Sequence, residues 1–190
     1  MIRSARTGLV LALLLAGSAV TLPAHAAPAP VRVTGVASTD GSGGAWTYDT
    51  AQLPSGARIT VGVTYPTSGR TIVTLHVKGA QALREYGAHA HAAACGSLGT
   101  AAGGHFQFNP APAGLPSTDP AYAAYANPTN EVWLDFETDE FGNGSAQAVV
   151  PWQPTDRRPM SVVIHAMHTS TTPGTAGTAG PRLGCLTVAF

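Results

Sequence analysis

Short runs of alternating apolar and polar residues make up most of the chain, the pattern of strands that bury one face. Glycine- and proline-rich segments separate these runs, and two of them, Pro66-Thr67-Ser68-Gly69 and Phe141-Gly142-Asn143-Gly144, are typical of hairpin turns. The pattern predicts eight or nine strands, at residues 31–37, 45–50, 58–65, 71–78, 86–93, 131–139, 145–152, 161–167 and 182–189.

Helical periodicity is confined to one candidate turn at residues 80–85. The sequence therefore predicts an all-β sandwich or barrel. Two long segments without strand character, 94–130 and 168–181, connect strands in this scheme. Loops of such length in a small domain are usually functional or held in place by other contacts.

The first 26 residues have the composition of a secretory signal peptide. Arg3 and Arg6 form its basic region, residues 9–16 are apolar, and Ala24-His25-Ala26 resembles a cleavage site. The apolar run is too short to span a membrane. Ser18 stands where a lipid-bearing cysteine would follow the apolar run. We therefore expect a secreted protein with no membrane anchor and one domain over residues 27–190.

Charge and cysteine content narrow the function classes further. The formal net charge is 0, and no basic stripe indicates nucleic acid or an anionic membrane as a partner. Two cysteines are present, Cys95 and Cys185. In an exported protein they most simply pair with each other, and two free buried thiols are the alternative. The sequence leaves the oligomeric state open.

Four histidines occupy positions that suit a shared metal ion. His89 and His91 are two residues apart in a strand, so their side chains project from the same face. His105 follows two glycines, and His165 ends the apolar run 162–164. Three or four imidazoles without cysteine or carboxylate suit copper. Unrelated histidines are the alternative interpretation.

The remaining histidines of the domain fit this metal site less well. His76 lies on the same strand face as Thr74 and Lys78, which indicates a surface position. His168 lies three residues after His165 and is expected to be an outer contact or exposed.

The sequences around the four histidines resemble those of copper/zinc superoxide dismutases. The similarity covers about residues 31–190, and its motifs occur in the same order as in that family. The matching segments are Gly-Ala-His-Ala-His (87–91), Ala-Gly-Gly-His-Phe (102–106), Val-Val-Ile-His (162–165) and Gly-Thr-Ala-Gly-Pro-Arg-Leu-Gly-Cys (177–185).

This resemblance implies a Greek-key β-sandwich or flattened barrel and a Cys95–Cys185 disulfide. It implies one copper ion on His89, His91, His105 and His165. The implied reaction converts superoxide to dioxygen and hydrogen peroxide by Cu(II)/Cu(I) cycling. Arg182 would attract and orient the superoxide anion, and His105 would be the ligand that moves during the cycle. A secreted copper-binding or copper-buffering protein without turnover, and a purely structural domain, are the competing hypotheses.

The zinc half of the family's two-metal site is missing from the sequence. No histidine lies between His105 and His165, and one carboxylate, Asp135, plus His105 is too few ligands for a closed zinc site. We therefore expect no zinc, as in copper-only relatives of this family. The free nitrogen of His105 would then bond a carboxylate such as Asp135 or Glu131. Residues 168–181 carry no carboxylate and no lysine, which leaves Arg182 as the main local cation.

Overall fold

A computed structural model describes residues 28–190, and the predicted signal peptide lies outside them. This part of the chain is almost entirely strand and loop, which confirms the all-β prediction. Two single 3₁₀ turns, Gly99–Ala102 and Pro120–Ala124, lie in the first long loop. The strands are β1 (Val31–Ser38), β2 (Gly44–Thr47), β3 (Arg58–Thr64), β4 (Thr71–Lys78), β5 (Glu85–His91), β6 (Phe136–Glu137), β7 (Gly144–Val150), β8 (Ser161–His165) and β9 (Arg182–Thr187).

The nine strands form one curved sheet in the order β6-β5-β8-β9-β2-β1-β3-β4-β7. The two terminal strands of that order, β6 and β7, lie beside each other. The sheet is therefore a nearly closed barrel, in which few backbone groups remain at an open edge. All neighbours pair antiparallel except β1 and β2, which pair in parallel.

Strands β4 and β5 differ in how many of their faces are covered. On β4, Val73 and Leu75 point into the core while Thr74 and His76 are partly or fully exposed, the alternation of a sheet with one wet face. Six of the seven residues of β5, and all five of β8, are buried. Residues 94–130 and 168–181 cover the outer face of β5 and β8, and this covered face is where the candidate site lies.

Segment 131–139 contains much less strand than predicted. Only Phe136–Glu137 forms a strand. Residues 132–134 still run beside β5 through two backbone bonds, in which Ala90 N donates to Val132 O and Leu134 N to Ala88 O. Asp135 interrupts the ladder because its Oδ1 accepts the N–H of Ala88 on the facing strand at 3.4 Å. The same side chain also accepts hydrogen bonds from Thr169.

The helical turn expected at residues 80–85 does not form. Leu83 has a left-handed φ of 56°, and its N–H donates to Asp139 O. The N–H of Arg84 donates to the Thr138 hydroxyl. Because these donors bond a neighbouring segment, they are not available to close a helical turn within the chain.

The predicted disulfide is present between Cys95 and Cys185, with Cα atoms 5.7 Å apart and 90 residues of separation. Cys185 is buried in β9, and Cys95 begins the first long loop. The bridge therefore fastens this loop to the barrel at its start.

We expect a Cys95→Ser/Cys185→Ser double variant to lose about 4–5 kcal/mol of unfolding free energy, because the loop that the bridge closes is long. Urea unfolding of the exported chain measures the loss. Wild-type protein unfolded in reductant is the control and should match the variant. Equal stability of oxidised wild type and variant would contradict the prediction.

Candidate metal centre

Backbone pairing brings the four predicted histidines to one place. His89 and His91 lie on β5, and His165 ends the neighbouring strand β8, where it pairs with Gly87. His105 arrives from the first long loop through an isolated antiparallel bridge to His91. The alanines between and before the β5 histidines, Ala88 and Ala90, point into the core, so the histidines face the opposite side, under the loops.

Each histidine offers one ring nitrogen to a common centre, and these four nitrogens lie within 4.8 Å of one another. The Nε2 atoms of His91 and His165 are 3.4 Å apart. The rings of His89, His91 and His165 are buried, and that of His105 is partly exposed. In the part of the chain that the structure describes, no other group of three or more histidines, cysteines or carboxylates is close enough to hold a metal ion.

The other nitrogen of each ring is fixed by a hydrogen bond to the surrounding protein. His91 Nδ1 donates to Gly103 O at 3.1 Å, and His165 Nδ1 donates to Gly180 O at 3.2 Å. His105 Nδ1 lies 2.9 Å from Glu131 Oε2, and His89 Nε2 lies 2.6 Å from Thr169 Oγ1. Such outer bonds set the tautomer and orientation of metal-ligating histidines.

One buried atom of the cluster remains without a hydrogen-bond partner. His89 Nδ1 is buried and makes no hydrogen bond within residues 28–190. A buried polar atom without a partner is costly, and a metal ion on the four nitrogens would satisfy it. The donor set, four imidazoles with no thiolate or carboxylate, therefore fits a bound transition metal, and imidazole suits copper and zinc alike.

Burial favours the uncharged form of three of the four rings. Desolvation lowers the pKa of His89 well below its usual range, the pKa of His91 to about 2 and the pKa of His165 to about 4. Neighbouring histidines and Arg182 act in the same direction. Neutral imidazole is the form that binds a metal, so these rings are ready for a ligand role at neutral pH.

Glu131 is the carboxylate that contacts His105. It is 1% exposed and accepts three hydrogen bonds, from His105, from Gln107 Nε2 at 2.8 Å and from Trp133 Nε1 at 2.8 Å. A buried carboxylate is tolerated when its oxygens are bonded in this way. Glu131 was a candidate partner of His105 from the sequence, but no motif or spacing marked Gln107 or Trp133.

Asp135, the other candidate partner of His105, lies elsewhere in the site. Its Oδ2 accepts the Thr169 N–H at 2.7 Å, and its Oδ1 accepts the Thr169 hydroxyl at 2.6 Å. The nearest histidine nitrogen is His89 Nε2, 4.0 Å from Asp135 Oδ1. Of the two carboxylates expected as partners of His105, Glu131 therefore makes the contact, because the Asp135 carboxylate is turned toward the second long loop.

Arg182 lies beside the histidine cluster and is held by backbone oxygens. Its guanidinium donates to Gly99 O at 2.5 Å and to Gly103 O at 2.6 Å. Burial lowers the pKa of Arg182, but a guanidinium remains charged at any working pH. Gly103 O thus accepts from both Arg182 and His91, and Gly103 has φ 69° and ψ −156°, a conformation open almost only to glycine.

A cavity of about 450 Å³ adjoins the cluster. Two histidines of the cluster, His105 and His165, form part of the cavity wall together with Arg182. The remaining wall is mostly small or polar, and it consists of Ser117, Tyr122, Ala126, Glu131 and residues 176–180. A small anion that enters this cavity meets Arg182 together with His105 and His165.

The two histidines that the sequence set apart lie outside the cluster. His76 is exposed on β4. His168 is partly exposed and lies 3.3 Å from Phe136 O and 3.9 Å from a Glu85 oxygen. Neither belongs to the group of four.

No protein-family model and no curated protein matches the chain. Among solved structures, that of the clock protein EA4 is similar, with a TM-score of 0.50 and 20% identity. The match covers 87% of this chain and 98% of that one. At this identity the likeness concerns the fold alone, an all-β barrel. Among residues 28–190, no helix has the length and apolar character to cross a membrane.

We expect His89→Ala to abolish tight binding of a metal ion at the cluster, with copper as the probe, because the ring contributes a buried nitrogen that no other group satisfies. His76→Ala, which removes an exposed histidine, is the matched control and should keep full binding. Metal analysis after copper loading and dialysis against a chelator measures the stoichiometry. Equal retention of copper by both variants would contradict the assignment.

Proposed function

We propose that this protein is a secreted, copper-dependent superoxide dismutase that works without zinc. The observation that carries the proposal is that Arg182 lines the same cavity as His105 and His165, two of the four histidines whose ring nitrogens converge. A binding or buffering protein needs the nitrogens but has no use for a fixed cation beside them. The Cys95–Cys185 disulfide is consistent with an extracellular location.

Copper, when bound, supplies one-electron chemistry through its Cu(II) and Cu(I) states. His89, His91, His105 and His165 would hold it. Two superoxide anions are consumed in a cycle, one oxidised to dioxygen and the other reduced to peroxide, which takes up two protons. The protein must therefore attract an anion, bring it to the histidine cluster and deliver protons there.

Arg182 performs the first of these tasks. Two backbone carbonyls fix its guanidinium, so the cation needs no rearrangement when an anion arrives. Residues 28–190 contain no salt bridge to Arg182, which leaves its charge free to act on the cavity. A fixed positive charge at the wall of a small cavity raises the local concentration of an anionic substrate.

His105 and Glu131 are suited to the proton step. Glu131 fixes a proton on His105 Nδ1, which leaves Nε2 as the nitrogen that faces the centre. Nε2 is then the ring atom at which a proton could be held when it is not engaged by a metal, while Nδ1 stays bonded to Glu131. His105 also lies at the cavity wall, so this proton would be within reach of the product. In this scheme the Glu131 carboxylate takes the outer position that zinc occupies in two-metal enzymes.

The first test combines metal analysis of the purified exported protein with a dismutase assay after copper loading. One copper, no zinc and rapid copper-dependent dismutation are expected. Tight copper binding without turnover would favour the buffering hypothesis instead. Stoichiometric zinc would contradict the zinc-free part of the proposal.

We expect Arg182→Leu to lower kcat/KM for superoxide by about 10-fold or more, because steering by a fixed charge is lost. Arg58→Leu is the matched control, since Arg58 is an exposed residue on β3 and its loss changes the net charge equally. The effect is measured as the rate at which superoxide generated in a pulse decays, at several ionic strengths. The salt dependence should weaken in Arg182→Leu only. Equal rates in the two variants would contradict the steering role.

A further inference from the structure

A short hydrogen-bonded chain joins the second long loop to the histidine cluster. It runs from the Asp135 carboxylate through the Thr169 hydroxyl to His89 Nε2, and both of its side-chain links are 2.6 Å long. The backbone N–H of Thr169 adds a bond of 2.7 Å to the other Asp135 oxygen. Thr169 is therefore held at two points by one carboxylate.

The direction of each bond in this chain follows from the groups involved. A carboxylate can only accept, so the single hydroxyl proton of Thr169 is donated to Asp135. The hydroxyl oxygen is then free only to accept, and His89 Nε2 must donate to it. The ring proton of His89 therefore sits on Nε2. The lone pair lies on Nδ1, the buried nitrogen that has no hydrogen-bond partner among the described residues.

We propose that Thr169 is a positioning residue of the metal centre, whose hydroxyl fixes His89 in the tautomer that presents Nδ1 to the metal. The same contact ties the 168–181 loop, which forms one wall of the cavity, to a ligand on β5. The inference rests on the proposed function only in taking the metal to be copper. The tautomer of His89 is a property of the protein with or without the ion.

The bonding of Thr169 differs from that of its neighbours in the loop. Ser170 bonds only within the loop, through Thr175 and the N–H of Thr172. The exposed Thr171 side chain makes no hydrogen bond within residues 28–190. Of these three hydroxyls, only that of Thr169 leaves the loop and reaches a histidine of the cluster. Thr171→Val is therefore a matched control for Thr169→Val.

The test compares Thr169→Val, Thr169→Ser and Thr171→Val in the full exported chain. Nitrogen NMR of the metal-free and Cu(I)-loaded proteins reports the His89 tautomer, and competition with a Cu(I) chelator reports affinity. Thr169→Val should populate both tautomers and bind copper about 10–100-fold more weakly, the range typical of lost outer contacts to a metal ligand. Thr169→Ser and Thr171→Val should match wild type.

Asp135→Leu gives a second and independent measurement. Without the carboxylate the Thr169 hydroxyl can donate to His89, so mixed tautomers are expected although Thr169 is still present. A His89 ring that keeps its proton on Nε2 in both Thr169→Val and Asp135→Leu would overturn the inference. If wild type showed the expected tautomer but no affinity for copper, the proposed function would fail while the positioning role of Thr169 stood.

Discussion

The structure depends on satisfying both nitrogens of four imidazole rings that are largely removed from water. Leaving a buried polar atom unpaired costs about 1–3 kcal/mol, so a cluster of this kind needs a partner for every ring on its outer side. The partners come from three segments: Gly103 in the first long loop, Glu131 in segment 131–139, and Thr169 and Gly180 in the second long loop. The contacts of Gly103, Thr169 and Gly180 position a long loop as well as a ring. The hydrogen bonds that orient the histidines therefore also hold the loops, which explains how glycine-rich segments with few charged residues lie closely on the barrel.

Much of the fold could be predicted from residue patterns. The alternation of apolar and polar residues in β4 identifies a strand because one of its faces is buried and the other is exposed to solvent. The two hairpin-turn sequences mark where neighbouring strands end. The prediction failed where local pattern and tertiary contacts disagree. Residues 131–139 alternate like a strand, but the Asp135 side chain accepts the N–H of Ala88 and breaks the ladder. Residues 80–85 resemble a helical turn, but Leu83 and Arg84 bond a neighbouring segment.

Part of the candidate site could also be predicted from the sequence, because strand geometry determines which side chains share a face. Histidines two apart on a strand share a face, and family-like motifs flank all four rings, so the cluster could be predicted. Its outer contacts could not. Gln107, Trp133 and Thr169 have no motif or spacing that marks them, and each reaches its partner across 2 to 80 residues of chain. Asp135 and Glu131 were equally good candidates for His105 on sequence, and only the orientation of residues 131–135 beside β5 separates them.

The shared carbonyl of Gly103 has a consequence for how this site can vary. One oxygen orients both a metal-facing ring, His91, and the cation Arg182. That oxygen is placed by a backbone conformation that almost any side chain would forbid. Under the proposed function, affinity for the ion and attraction of the anion are therefore not independent traits. A substitution that shifts the backbone at position 103 would alter both at once, so selection acting on either property also constrains the other.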